Sequence, residues 1–205
     1  DTRLWLHEGW VDYWTPQCYW KIDSDQPYKD LIAWWAAENK HNRNFWPGNG
    51  TYRIGGDSGW PVEEVPNQIE ATRAQPGATG NVHFSMKLFT NNTKGLTTLL
   101  KQGVYAKPAL IPPSPWLDSV PPGAVTPVLN LGSATLTWEA PADEDVKFFA
   151  LYRQYGADWK LDLLPATLTS APLAAAVADG IPDAIVVSAI DRVNNEGPRS
   201  YLKIK

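Results

Sequence analysis

The chain has 205 residues, 18 Lys and Arg against 22 Asp and Glu, a net charge of −4 and a hydrophobic fraction of 43%. Those values belong to a globular chain of one large domain or two small ones and argue against disorder. Without clustered Lys and Arg they also exclude nucleic acid as a partner, and no apolar run reaches the roughly 18 residues that a membrane span needs.

Val11 to Trp20 reads as a buried strand with a site at its tip, because it is β-branched and aromatic and ends in polar groups and a bare aromatic pair. Alternation puts Tyr13, Thr15, Gln17 and Tyr19 on one face and Trp14, Pro16 and Cys18 on the other. Before it, Leu4, Trp5 and Leu6 lead to Gly9 as a helix end would. After it, Tyr28, Leu31, Ile32 and Trp35 recur at helical spacing behind Pro27, a residue suited to a first turn. A parallel α/β unit follows from this order, and ligands of such units sit beyond the carboxyl ends of the strands.

A second unit begins with a strand near Asn44 to Pro47, a glycine-dense loop from Gly48 to Gly56, and a helix that starts between Pro61 and Pro66 with Val65, Ile69 and Thr72 on one side. The loop has no Gly-x-Gly-x-x-Gly fingerprint, so no nucleotide is expected. In a third unit, Asn81 to Leu88 alternates, which predicts Val82, Phe84, Met86 and Leu88 toward helices and His83, Ser85 and Lys87 toward a polar centre, with Lys87 level with Gln17. A short helix through Leu96, Leu99 and Leu100 and a proline-rich extended run over residues 106–118 lead to a boundary at residues 119–123. From Pro121 the period becomes two, with strands predicted over Ala134 to Trp138, Lys147 to Arg153, Asp183 to Asp191 and Ser200 to Ile204. This part resembles fibronectin type III domains in its Pro-Pro entry, its Thr137-Trp138 strand end and its Leu151-Tyr152-Arg153 strand end.

Cys18 stands alone, which excludes an internal disulfide, and His7, His41 and His83 lack ligand-like spacing, so neither metal nor cofactor is expected. The 11 Trp and 8 Tyr exceed what a core of this size needs; aromatic faces stack on sugar rings, and carbohydrate is an economical explanation.

Gly9-Trp10-Val11-Asp12-Tyr13, Thr15-Pro16-Gln17-Cys18-Tyr19-Trp20, Gln68-Ile69 with Thr72-Arg73, Phe84-Ser85-Met86-Lys87 and Pro108 to Pro113 together resemble the bacterial glycosyl hydrolase-like 10 family, with the Thr-Pro-Gln-x-Tyr-Trp element the most specific. The resemblance implies that residues 1–118 are the carboxyl-terminal portion, about three βα units, of an eight-stranded TIM-type β/α barrel, and that residues 119–205 are an all-β fibronectin-like sandwich. A barrel of this kind needs about 250 residues, so its amino-terminal half, or another copy of the chain, is expected to cover the open strands. The family's acidic Asp-Asp-aromatic stretch does not occur here. Glycoside hydrolysis needs two carboxyl groups, and Asp12, Asp23, Asp25, Asp57, Glu63, Glu64 and Glu70 fall at strand starts, in loops or on helices, so no catalytic residue is assigned.

The expectation is an extracytoplasmic glycoside hydrolase acting on a bacterial polysaccharide or cell-wall glycan, of which this chain supplies substrate-binding groups and is itself inactive. Gln17 and Asn49 would bond sugar hydroxyls, Lys87 would bind an oxygen or tune a carboxylate, and Tyr19 or Trp20 would stack on a ring. The alternative is a non-catalytic carbohydrate-binding or scaffolding module.

Overall fold

A computed structural model describes residues 1–55, 59–142 and 145–205. Two units divide the chain, Asp1–Lys107 and Pro108–Lys205.

In the first unit, α1 (Thr2–His7) is capped by the Asp1 carboxylate and ends at Glu8. Gly9 follows at φ +67°, and a side chain there would also press on Arg43 and His41, so glycine suits this exit twice over. The chain then alternates extended segments and helices: β1 (Tyr13–Trp14), α2 (Tyr28–Glu38), β2 (Asn44–Phe45), β3 (Gly48–Asn49), α3 (Glu64–Ala74), β4 (Val82–His83), α4 (Lys87–Thr90) and α5 (Leu96–Gln102). Pro27 precedes α2, and Tyr28 and Ile32 are its buried residues. Pro66 falls in the first turn of α3, where a missing N–H leaves no bond unmade.

The extended segments pair in parallel. β1 pairs with β2 and β3 with β4, and Gln17 bridges to Gly48 and Phe45 to Ala78. Residues 44–49 therefore lie in the middle: Trp46 N–H donates to the Trp14 carbonyl and Gly48 N–H to Pro16, while on the other side Thr79 N–H donates to Phe45 and Phe84 N–H to Asn49. Pro47 has no N–H to give, which divides the middle segment into two short strands. One face of these segments packs on helices, where Cys18, Phe45, Tyr28 and Ile32 form one core cluster, and a second forms around Ile54, Trp60, Val65, Ile69, Leu96 and Leu100.

The second unit is antiparallel throughout. β11 (Ser200–Lys203), β10 (Ala184–Asp191), β7 (Val146–Tyr155) and β8 (Asp158–Pro165) form one sheet in that order, and β5 (Val128–Asn130), β6 (Thr135–Thr137) and β9 (Ser170–Pro172) a second. Leu136 of one sheet, Trp138 just after its β6, and Phe149, Leu151, Ile185 and Val187 of the other sheet build a single apolar core. Arg153, 2% exposed, donates to the Leu173 and Pro172 carbonyls and pairs with Asp162, so its buried charge is fully engaged. Residues 108–118 group with this unit: Ser114 N–H donates to the Val193 carbonyl, and Asn195 donates to that of Asp118.

The expectation of a TIM-type barrel portion is overturned. Among the described residues no barrel wall forms: the parallel strands are two residues long, they pair as separate two-stranded sheets, and the extensive sheets of the molecule are the antiparallel ones. The alternation over residues 81–88 misleads most. The strand ends at His83, the Phe84–Ser85 peptide is cis, and Lys87 opens α4. The faces are also reversed, since Val82, Phe84 and Met86 are 39%, 57% and 70% exposed, while His83 lies against Phe89 and Tyr105. The four strands expected after Pro121 are present, with β5, β8 and β9 added to them.

Candidate functional site

The face turned away from the helices carries Tyr13 and Gln17 of the first segment, Trp46, Gly48 and Gly50 of the second, and Val82 of the third, as strand alternation requires. Tyr13 stacks on Trp46 with ring centroids 4.9 Å apart. Beyond the carboxyl ends of the three segments, three further rings meet. Tyr19 follows the first, Tyr52 the second and Phe84 the third.

Their geometry is a corner. The Tyr19 and Phe84 rings lie within 21° of parallel at 6.2 Å, and Tyr52 stands nearly perpendicular to both, at 77° and 84°. The backbone holds it: Tyr52 N–H donates to the Phe84 carbonyl at 3.0 Å, and Phe84 N–H donates to that of Asn49 at 3.0 Å. Gly50 makes room, because a Cβ there would stand 3.1 Å from Cβ and Cγ of Tyr19. Tyr52 is 38% and Phe84 57% exposed, so the corner opens to solvent. Burial, and then the neighbouring Tyr52 hydroxyl, raise the Tyr19 phenol above its ordinary pKa; it stays neutral and keeps its O–H. The Arg53 guanidinium lies over the Tyr52 ring and over the Trp60 ring, 5.4 and 5.5 Å from their centroids.

A groove of about 520 Å³ runs alongside the first segment, lined among others by Trp14, Thr15, Gln17, Trp20, Trp34 and Trp35, with no charged residue in its lining. Its indoles form a continuous wall, Trp14 to Trp35 at 5.2 Å and Trp35 to Trp34 at 4.6 Å.

The sequence-derived site residues thus divide. Gln17 and Trp20 share the groove, and Tyr19 joins the corner. Asn49 is fully buried: its amide donates to Tyr28 Oη and Gln68 Oε1, and its Oδ1 accepts from Asn81, so its side chain is engaged inside the protein. Lys87 is exposed at the start of α4, apart from the strand end where alternation placed it. Of the carboxylates, Glu64 is 8% exposed and accepts from Ile22 N–H and Gln68, and Glu70 pairs with Arg73; Asp57 lies outside the described residues. Tyr52 and Phe84 were not anticipated. Tyr52 sits in the glycine-dense loop, in the turn over Thr51–Ile54, and Phe84 follows a strand that ends at His83, one residue before the alternation would place it on the covered side.

No protein-family model matches the chain. It is 35% identical over 170 residues to "Glycosyl hydrolase YngK" of Bacillus subtilis (strain 168), across 78% of this chain and 33% of that protein. It is 31% identical over 94 residues to "Glycosyl hydrolase DigH" of Escherichia coli (strain K12), across 41% of this chain and 21% of that protein. The chain therefore spans about a third and a fifth of the lengths of these two homologues. A crystal structure of an Fn3-like protein from Clostridium thermocellum covers 41% of this chain and 94% of its own at 18% identity and a TM-score of 0.26, too low to bear on the fold. No helix among the described residues is long and apolar enough to cross a membrane.

Proposed function

We propose that this chain is part of a longer glycoside hydrolase acting outside the cytoplasm on a bacterial polysaccharide or cell-wall glycan, and that it supplies groups that hold and orient the sugar. The observation that carries this reading is the aromatic corner: one ring beyond each of three parallel segments, at the end where α/β units take ligands. A flat pair of rings with a third as a wall gives a sugar an apolar face to stack on, and the phenolic O–H groups give its rim hydroxyls partners. The names of YngK and DigH support the same reading. Gln17 and Trp20, in the adjacent groove, would hold a neighbouring residue of the glycan.

Titration of the 205-residue chain with cellohexaose, chitohexaose and soluble cell-wall glycan strands, followed by calorimetry, tests it. Binding to at least one is expected, weakened about tenfold by Phe84→Ala, since one aromatic contact is worth about 1–1.5 kcal/mol. No binding to any of them, or binding indifferent to Tyr19→Ala, Tyr52→Ala and Phe84→Ala together, would overturn it.

A second reading, a non-catalytic carbohydrate-binding module, is favoured by the carboxylates, since Glu64 and Glu70 are both engaged in bonds of their own on α3. In the longer protein the two readings part company. Loss of turnover on soluble substrate with Phe84→Ala supports positioning at the reacting bond, and loss of retention on polysaccharide alone supports the module.

A further inference from the structure

The corner needs its three chain segments held at fixed distances, and the strands that pair them are only two residues long. What else ties them together lies on the helix side. Gln68 of α3 is fully buried, on the face where Val65, Ile69 and Thr72 are also buried. An apolar side chain there would fill the space without the desolvation cost of a carboxamide. Instead, every polar atom of Gln68 is engaged: Nε2 donates to the Trp20 carbonyl at 3.0 Å and to Glu64 Oε1 at 2.9 Å, and Oε1 accepts from Asn49 Nδ2 at 2.9 Å. Glu64 Oε1 also accepts from Ile22 N–H at 2.7 Å. The backbone just after Tyr19 is thus gripped at residues 20 and 22 from one helix turn, and the same carboxamide holds Asn49, whose carbonyl binds Phe84 N–H and whose Oδ1 takes the Asn81 amide at 2.9 Å.

We propose that Gln68 is the positioning residue of the aromatic corner: through Trp20 and Glu64 it sets where Tyr19 stands, and through Asn49 it sets Phe84 and Tyr52 against it. That the corner binds sugar rests on the reading above; that Gln68 sets its geometry does not. A saturated buried amide is directional where an apolar contact is not, so it fixes the loop's orientation and not merely its proximity.

The test compares Gln68→Met with Val65→Ala, a core truncation on the same helix whose side chain makes no bond to the loop. Tyrosine-labelled chain is followed by NMR, where the Tyr19 ring carries shifts from the currents of the Phe84 and Tyr52 rings, and binding is followed with the same oligosaccharides. In Gln68→Met the Tyr19 resonances move toward ordinary tyrosine positions and oligosaccharide binding weakens about tenfold; Val65→Ala lowers the melting temperature at least as far and leaves both readouts in place. Glu64→Gln, which keeps the volume and weakens the grip on Ile22, shows the same change at smaller size, and decides the matter should Gln68→Met not fold. Unmoved Tyr19 resonances in both loop-facing variants, or equal movement in Val65→Ala, would overturn the proposal. If the unsubstituted chain binds none of the three glycans, the sugar reading falls while the resonances still decide the role of Gln68.

Discussion

The two units hold themselves together by different means. In the second, β7 is ten residues long and is paired along its length on both sides, so backbone ladders and one apolar core account for the fold. In the first, no strand among the described residues exceeds two residues, and a chain of buried side-chain amides and hydroxyls joins the segments: Tyr28 to Thr72, Asn81 to Thr72 and Asn49, and Asn49 to Gln68. Ladders are tolerant, because each bond is one of many. A side-chain network is exacting, because each member has few substitutes and a broken bond leaves a partner buried and unmet.

The largest expected effect falls on the second unit. Phe149, fully buried and edge-on to Trp138 at 5.5 Å, is at the centre of its core; Phe149→Ala costs about 3–5 kcal/mol. Hydrogen exchange read by mass spectrometry should show protection lost over residues 146–191 and retained over 1–107; loss spread evenly over both units would remove the distinction drawn here. Next comes Asn49→Ala, which removes one small polar side chain yet strips Gln68 of a donor and Asn81 of an acceptor. About 2–3 kcal/mol is expected, felt in the first unit alone, from the unsatisfied groups left behind. A cost under about 0.5 kcal/mol in chemical denaturation would show the network to be incidental.

How much of this the sequence discloses follows from the same contrast. Helical spacing located α2 and α3 through Tyr28, Ile32, Val65 and Ile69, and period-two runs located β7 and β10, because apolar faces repeat wherever regular elements bury them. β8 escaped notice: as an edge strand it is paired on one side only, and its mixed exposure blurs the alternation. The Asn49–Gln68–Asn81 network is invisible in a one-dimensional pattern, since amides read as surface wherever they occur. Phe84 and Lys87 were misplaced because alternation continues past His83 after the strand does not, and that extra run is also what made the segments look like walls of a barrel.

The smallest expected effect separates the units by pH. Burial pushes His83 down to about 4 from 6.5, and all three histidines belong to the first unit. Above pH 6.5 both folded and unfolded states hold a neutral ring and the stability is whole; below it the unfolded chain takes up a proton that the folded one refuses, so stability declines as pH falls from about 6.5 to about 4. In the second unit, Asp183 is held low by the Gly156 N–H and by Lys205, and Glu196, against its own burial, by Arg199 and Ser188. Both shifts carry these carboxyls away from that window and not into it. Unit-resolved exchange at pH 7 and pH 5 should therefore weaken the first unit alone, with His83→Gln abolishing the difference; an unchanged slope in that variant would place its origin elsewhere.

Cys18 lies against Tyr28, Ile32 and Phe45, 1% exposed, with its thiol pushed up by burial to about 12. Only the thiolate is an effective nucleophile, so at neutral pH this residue is chemically silent toward alkylating dyes and spin labels. This 205-residue chain is thereby a ready background for site-directed spectroscopy: a cysteine introduced at any exposed position, including the rim of the aromatic corner, becomes its single reactive handle without prior removal of Cys18.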